Sequence, residues 1–514
     1  MRNKGAPSSL DLARTRTSSS SSHPKMVESI ESNWKQRTDL ARKLRKDGDL
    51  EAAERLIRQV QKTHPSRLEV ATEAAEIALA QGDWHQAVAR WRRVVVLYHR
   101  MSLADAQSHW PSLFTAEEEM RSLAWRPQLF AAKRALKRVL RQPPMPPPLE
   151  SHGYFTACRK LAAGYRWSEN LEAAKEMLQG TLSQLKALAR SQPTSPDAKG
   201  TCFVLTHAHR GWILEKIARV IAREIDDARL VYISSTPRVR EIPDAGRYFF
   251  MHHQILSNAL LSSPRFWRVP IYCFYTHPSQ KSSIHPNHIP LFLNEIEHTI
   301  VQNSHIKAQL SESGADPKRI SMVLGGADPS TFVGHVRGGG KLGFVGGYYE
   351  RKNPHLLLQL ARALPDEQFL VLGPSSQEIT HDAIFWPNAP LFPELIAQPN
   401  IEYREALYEE FPQHFAEIDI FLMLSRVEGG PIPLLEAMMS NCVPVATDTG
   451  FASDLIHQGI NGYLAAPDAD VSTFVKLIRQ AKLNDSDIRA TVMNYTWDGY
   501  GAAIAMQMAA TIHG

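Results

Sequence analysis

One stretch decides the fold: residues 420–446, which read IFLMLSRVEGGPIPLLEAMMSNCVPVA. It opens with an apolar run of strand length, 420–423, and ends with a second one, 443–446. Between them lie a glycine loop and a helical pattern whose start carries Pro431 and Pro433, which suit a first helical turn. A strand, a helix and a second strand in this order predict a parallel sheet with helices on its faces.

The same alternation extends towards both ends of this region. The other strand candidates are residues 202–205, 230–233, 248–251, 271–275, 342–345 and 369–372. A glycine-rich hinge at 337–340 divides them into two series. We therefore predict an α/β fold of two Rossmann-like lobes, residues 200–336 and residues 341–514, the second closing with a terminal helix. Open α/β sheets bind ligands at the carboxyl ends of their strands, so the cleft between the lobes is the expected site.

The front of the chain differs, because residues 26–195 carry apolar side chains at helical spacing. Gly48-Asp49 recurs 34 residues later as Gly82-Asp83, and residues 167–185 read as a third, degenerate copy. This period resembles the tetratricopeptide repeat and predicts an all-α region. Prolines at 193 and 196 indicate a linker, so we expect a core beginning near Pro196 to fold without the helices.

The first 25 residues form a polar tail with an unbroken serine run, and they lack the apolar core of a secretory signal. We expect a disordered tail, although a transit peptide or a start at Met26 also fits. The four cysteines are scattered and no stretch approaches ~20 apolar residues, which favours a cytoplasmic protein without a membrane span. Residues 1–150 carry 26 Lys and Arg against 17 Asp and Glu, which suits either a solvated face or contact with a membrane surface or acidic partner.

Two carboxylates in the deciding stretch carry the chemistry. Glu428 lies in the glycine loop after a strand, and Glu436 lies one to two turns into the following helix. A helix start beginning at Pro431 directs backbone N–H groups and a positive dipole end into the cleft, which favours a diphosphate. Glu428 could then hold sugar hydroxyls and Glu436 a ribose. The alternative is that both are surface carboxylates at a helix start, where acids are favoured.

The surroundings of these glutamates resemble the retaining GT-B glycosyltransferases of family 4. Their hallmark phrase, E-G-F-G-x-x-x-L-E-A-M-A followed by a P-V-V strand, is similar to residues 428–446 here. The turn Asn461-Gly462-Tyr463-Leu464 is similar to the family's N-G-x-L. Upstream, Phe344-Val345-Gly346-Gly347 resembles the first strand and loop of the family's nucleotide lobe. The resemblance covers roughly residues 200–514 and is most specific in the second lobe.

The resemblance implies roles for individual residues. Lys352 stands where the family places its phosphate-binding lysine, but Gly347 stands where an arginine usually accompanies it, and the neighbouring Arg351 is the candidate substitute. His277 follows a first-lobe strand, where family members often have a histidine near the donor sugar and acceptor. The implied catalytic residues are Glu428, Lys352 and His277. The implied donor-binding residues are Glu436, Gly346, Gly347, Arg351, Gly429, Gly430, Pro431 and Ile432. The implied acceptor-side residues are His209, Gly211 and His277.

The expected function is transfer of a sugar, with retention of configuration, from a UDP- or GDP-sugar to a saccharide or glycolipid acceptor. A protein acceptor or protein partner held by the helical repeats remains open, as does a GT-B scaffold without turnover. No cofactor, metal or nucleic acid is expected. Asp468-Ala469-Asp470 and Asp485-Ser486-Asp487 match the D-x-D pattern of metal-dependent transferases, but both lie where helices should start and are interpreted as caps.

Overall fold

The structure is a computed structural model that describes residues 34–109, 152–191, 198–236, 238–277, 282–347, 350–373 and 389–511. The predicted tail therefore lies outside the described residues. The chain forms two compact units, Met1–Trp125 and Arg126–Gly514. None of the described helices is both long and apolar enough to cross a lipid bilayer.

Within residues 34–109, the part of the first unit that the structure describes, there are four helices: α1 Trp34–Lys46, α2 Leu50–Thr63, α3 Leu68–Ala80 and α4 Trp84–His109. The repeated glycines Gly48 and Gly82 lie in the turns between paired helices, and both have left-handed φ angles, of 88° and 72°. Ala53 and Ala87 are fully buried, which explains why small residues recur there. The predicted helical region is thus confirmed, with its repeat expressed as two helix–turn–helix pairs.

The second unit contains two parallel six-stranded sheets. In the first lobe the strand order is β2-β1-β3-β4-β5-β6, and in the second it is β12-β11-β10-β7-β8-β9. The first-lobe strands are β1 Thr201–Thr206, β2 Ala228–Ile233, β3 Arg247–Phe250, β4 Ile271–Phe274, β5 His298–Val301 and β6 Ile320–Met322. The second-lobe strands are β7 Lys341–Val345, β8 Phe369–Gly373, β9 Ile401–Glu405, β10 Ile418–Met423, β11 Val443–Thr447 and β12 Tyr463–Ala465.

Two described helices of the second unit precede the strands: α5 His152–Trp167 and α6 Leu171–Arg190. The other described α-helices lie between or after the strands: α7 Ile213–Arg223, α8 His253–Leu260, α9 Pro290–Leu293, α10 Ser304–Glu312, α11 Pro354–Ala363, α12 Phe392–Ile396, α13 Phe411–Phe415, α14 Ile432–Met439, α15 Ala452–Leu455, α16 Val471–Ala481 and α17 Trp497–Ala510. The predicted α/β architecture of two lobes is confirmed by the two parallel sheets.

Helices α5 and α6 belong to this second unit, although the sequence groups them with the helical front. Ala162, Leu178 and Leu182 are buried in one hydrophobic cluster with Tyr248 and Phe266 of the first lobe. This packing explains the difference, because a helical period reports a buried face and does not report which element covers that face.

The terminal helix α17 returns from the second lobe to the first. The Tyr272 hydroxyl donates to the Met508 carbonyl oxygen at 3.2 Å, and Ser321 donates to the Gln507 side chain at 3.1 Å. Tyr272 belongs to β4 and Ser321 to β6, so the helix spans the first sheet. These contacts hold the two lobes together beside the cleft.

Candidate active site

The glycine loop between β10 and α14 rests directly on the first lobe. A Cβ added at Gly429 would lie 2.5 Å from the carbonyl oxygen of Thr276, and one at Gly430 would collide with the Gln302 amide. The Asn303 amide also donates to the Gly429 carbonyl oxygen. Only residues without a side chain fit this close approach. The loop therefore meets the first lobe at the end of β4, next to His277.

Glu428, in that loop, has a side chain that is only 7% exposed and lies between two cations. Its carboxylate lies 2.6 Å from Lys352 Nζ and 3.0 Å from Arg351 Nη1, and it accepts a 2.8 Å hydrogen bond from Ser425 Oγ. Burial opposes ionisation, but the charges of Lys352 and Arg351 and the hydrogen bonds outweigh it and lower the pKa of Glu428 to about 2. Glu428 is thus an anion at neutral pH.

The loop after β7 directs both cations towards this carboxylate. Gly346 has a φ of 151°, which favours glycine, and it packs against the Lys352 side chain, which a Cβ there would meet at 3.5 Å. Gly347 follows it and brings no side chain. The Arg351 carbonyl oxygen accepts a 2.7 Å bond from the Arg426 amide, which ties the loop to the end of β10. Arg351 and Lys352 therefore reach one carboxylate although they are adjacent in sequence.

The start of α14 offers fewer free amides than its position suggests. Pro431 and Pro433 have no N–H group. The Ile432 amide donates to the Gly430 carbonyl oxygen at 2.9 Å, and the Leu434 amide donates to the Pro431 carbonyl oxygen, also at 2.9 Å. The expected row of unpaired N–H groups is thus absent from Pro431 to Leu434. An anion in the cleft would depend more on side-chain cations than the sequence indicates.

Glu436 is fully buried, whereas the sequence led us to expect it open to a ribose. Its Oε1 accepts a hydrogen bond from the Tyr408 hydroxyl, and that hydroxyl oxygen accepts a 2.6 Å bond from Lys216 Nζ. Burial raises the pKa of Glu436 to about 7, although Tyr408 and Lys216 oppose the shift. Lys216 also lies 4.5 Å from the centre of the Tyr408 ring and 4.7 Å from that of Trp497.

Sequence reasoning missed Lys216 and Tyr408. Lys216 belongs to α7 of the first lobe, and Tyr408 lies in the loop after β9 of the second. They are separated by 192 residues, and no spacing rule joins them. The available signal was weak: a tyrosine after a strand end, on the side of the sheet where ligands bind.

Histidines collect at the carboxyl edge of the first sheet. His209 Nδ1 accepts the Thr206 amide at 3.2 Å, His252 Nδ1 accepts the Gln254 amide at 3.1 Å, and the two rings lie 6.2 Å apart. Burial, with the neighbouring His209 and His277, lowers the pKa of His252 to about 3, and burial also lowers the pKa of His209. The predicted residues His209 and His277 are thus brought to one neighbourhood, and His209 and His252 are neutral at physiological pH.

His252 and His253 follow β3, which ends at Phe250. His252 caps α8, and the two histidine rings stack 4.4 Å apart. Gly211 has a left-handed φ of 73°, and its amide donates to Glu215 at 2.6 Å. The described contacts of Gly211 are those of a turn residue, so its acceptor-side role stays a prediction.

The D-x-D motifs act as helix caps. Asp470 caps α16 by accepting the Thr473 amide at 2.9 Å, and Asp487 accepts the Ala490 amide at 3.0 Å at the start of a short 3-10 helix. Their carboxylates therefore serve local backbone groups, as interpreted from the sequence.

Comparison with known proteins agrees with this architecture. Residues 333–496 match the model of the family described as glycosyl transferases group 1. Sucrose-phosphate synthase from Thermosynechococcus elongatus aligns over 61% of this chain and 99% of its own at 10% identity, with a TM-score of 0.52, which shows a shared fold. HepE from Anabaena, solved with UDP and glucose, aligns over 60% of this chain and 100% of its own at 13% identity and a TM-score of 0.48.

A third structure, the lipopolysaccharide outer core galactosyltransferase WaaB, aligns over 61% of this chain and 99% of its own at 15% identity and a TM-score of 0.46. No curated protein sequence matches the chain. The family match covers most of the second lobe and includes Glu428, Lys352, Arg351 and Glu436. The chain therefore carries a glycosyl transferases group 1 domain in its second lobe and is a glycosyltransferase with the GT-B fold.

Proposed function

We propose that this enzyme moves a sugar from a nucleotide-sugar donor to a saccharide or glycolipid acceptor and retains the configuration at C1. One observation carries the proposal: Lys352 and Arg351 converge on the buried carboxylate of Glu428 at the carboxyl edge of the second sheet. An anion and two cations are thereby held where the sheets of the two lobes approach each other.

The charges of this group suit the chemistry of the transfer. The bond between C1 and the diphosphate oxygen breaks with its electron pair going to the diphosphate, and C1 becomes positively charged. Preorganised groups stabilise such charges best when they are aimed at the atoms where charge develops. Lys352 and Arg351 would bind the departing diphosphate, and the Glu428 carboxylate would face the sugar. The acceptor oxygen then bonds to C1, and its proton passes to the departing diphosphate.

The first lobe supports a hydroxyl acceptor. His209 and His252 are neutral, and each uses Nδ1 to accept a backbone amide, which leaves the Nε2–H tautomer. A neutral imidazole N–H donates to a hydroxyl oxygen without attracting a second charge into the cleft. His277, in the same neighbourhood, is the proposed contact to the donor sugar and acceptor. A saccharide, alone or on a lipid, presents such hydroxyls in quantity.

The test is a ligand screen followed by a product assay. Purified full-length protein is heated with UDP, GDP, ADP or CMP, and the nucleotide that raises the melting temperature identifies the donor class, because a ligand of the native state stabilises it. The matching sugar nucleotide is then offered with saccharide, glycolipid and peptide acceptors, and NMR reads the anomeric configuration of the product. An inverted product or a peptide-only acceptor would contradict the proposal.

A further inference from the structure

Glu436 is a buried acid in which only one of the two carboxyl oxygens has a hydrogen-bond partner among the described residues. Tyr408 donates to Oε1, while Oε2 is buried and has no hydrogen-bond partner among the described residues. A buried acceptor without a donor is costly, so this oxygen is a feature that needs a partner. The helix that carries Glu436 begins at Ile432, four residues after Glu428.

Tyr408 is placed to leave this contact. Its side chain is 37% exposed, and it begins a 3-10 turn, Tyr408–Glu410, next to the 70% exposed Leu407. The hydroxyl is nevertheless held at both ends, by Glu436 of its own lobe and by Lys216 of the other. Lys216 is held in turn between the Tyr408 and Trp497 rings. The contact therefore spans the two lobes and depends on one exposed side chain.

The geometry points to a latch: Tyr408 occupies the carboxylate oxygen that a donor's ribose hydroxyl would take, and Lys216 holds it there. This inference rests on the proposed function and on the expectation from the sequence that Glu436 accepts a hydrogen bond from the donor's ribose. A tyrosine hydroxyl and a ribose hydroxyl are the same donor to a carboxylate, so the two compete for one position. The ribose hydroxyl reaches Glu436 only when the Tyr408 hydroxyl leaves, and this departure also breaks the hydrogen bond from Lys216.

A latch has a consequence that a supporting contact does not have. If Tyr408 competes with the nucleotide, removing its hydroxyl should tighten nucleotide binding, because less free energy is spent on opening the site. If Tyr408 merely positions Glu436 for the ribose, the same change should weaken binding. The sign of the change separates the two roles.

The experiment measures the dissociation constants of UDP and GDP by calorimetry for the full-length wild type and for Tyr408→Phe. We expect the variant to bind the preferred nucleotide about three- to tenfold more tightly, the range for one ordinary hydrogen bond. The 2′,3′-dideoxy nucleotide should bind both proteins equally, because it has no hydroxyl to compete for Glu436. The control is Tyr463→Phe, which removes a hydroxyl bonded to the Gln480 carbonyl oxygen in the same lobe and should change neither constant.

Weaker or unchanged binding by Tyr408→Phe would overturn the latch. A Glu436→Ala variant separates that failure from a failure of the proposed function. If it loses nucleotide affinity while Tyr408→Phe shows no gain, Glu436 is a ribose ligand without a latch. If wild type binds no nucleoside diphosphate at all, the proposed function fails and the latch fails with it.

Discussion

Two buried glutamates of one short segment differ in charge because their neighbours differ. Glu428 has two cations and a hydroxyl on its carboxylate, and its pKa falls to about 2. Glu436 accepts a hydrogen bond from the Tyr408 hydroxyl, and Lys216 contacts that hydroxyl rather than the carboxylate. The pKa of Glu436 rises to about 7. Desolvation acts on both, so the difference is set by direct charge pairing. The first acid can stabilise positive charge at neutral pH, and the second can change its protonation on ligand binding.

The raised pKa of Glu436 makes stability depend on pH. The native state keeps this proton up to about pH 7, whereas the unfolded chain releases it near the ordinary value of 4.5. The native state therefore binds more protons in this window, and the contribution of Glu436 to stability falls as pH rises from about 4.5 to 7. Glu436→Gln should remove up to a few kcal/mol of that dependence. Thermal unfolding of both proteins at pH 5 and pH 8 measures it, and parallel pH curves would contradict the assignment.

Residue types and spacing singled out Glu428 and the two glycines of its loop, because that phrase is contiguous in sequence, and the family resemblance added Lys352. They left open whether Arg351 reaches the site, and the structure places it on the same carboxylate as Lys352. They missed Tyr408 and Lys216, because a contact between lobes depends on packing that no local pattern encodes. They also overestimated the number of free backbone N–H groups at the start of α14, where the Ile432 amide already donates to the Gly430 carbonyl oxygen.

At the scale of elements, the two loop glycines should differ in their tolerance of a methyl group. At Gly429 the obstacle is the backbone carbonyl of Thr276, whereas at Gly430 it is the amide of the Gln302 side chain, which can rotate away. Gly429→Ala must separate the loop from the first lobe and should lower both activity and melting temperature. Gly430→Ala should have the smaller effect on both. Equal effects in a paired assay of transfer rate and thermal unfolding would show that the loop is not held against β4.

The helical pair α5–α6 should be required for a stable core. Its residues Ala162, Leu178 and Leu182 are buried against the first lobe, and Lys186 pairs with Glu295 at 2.5 Å. The expectation that a core starting near Pro196 folds unaided is therefore revised. A fragment of residues 152–514 should unfold cooperatively, and one of residues 198–514 should melt several degrees lower or aggregate, since burying each large apolar side chain contributes about 1.5–3 kcal/mol. Circular dichroism on both fragments tests this, and equal melting temperatures would contradict it.

At the scale of the whole molecule, the sequence predicted the architecture well. The periodicity of strands and helices is a local property of the sequence, so the two α/β series and the glycine hinge between them could be predicted. The family match falls in the second α/β series. The sequence could not show that α5 and α6 belong to the second unit. The same amphipathic pattern is expected for a helix packed in a repeat array and for a helix packed on the face of a sheet. The division into compact units at Trp125 therefore had to come from the packing.

The enzyme should transfer sugar without a divalent cation. Lys352 and Arg351 supply two positive charges beside Glu428, and both D-x-D motifs are engaged in capping their helices. Transfer should persist in EDTA at an unchanged rate. Loss of activity in EDTA with recovery on adding magnesium or manganese would contradict this prediction.

The central claim is that Glu428, held by a lysine and an arginine, acts on the transferred sugar. A matched control exists, because Glu417 lies between Lys341 and Arg404 at the opposite, amino end of the second sheet. The decisive measurement is steady-state transfer by Glu428→Gln and Glu417→Gln, with nucleotide affinity measured in parallel. The account predicts that Glu428→Gln lowers kcat about 10²-fold or more, as losing a preorganised charged group does, without weakening nucleotide binding, since both cations are released for the diphosphate. Glu417→Gln should leave kcat unchanged, and equal, small effects of the two substitutions would contradict the account.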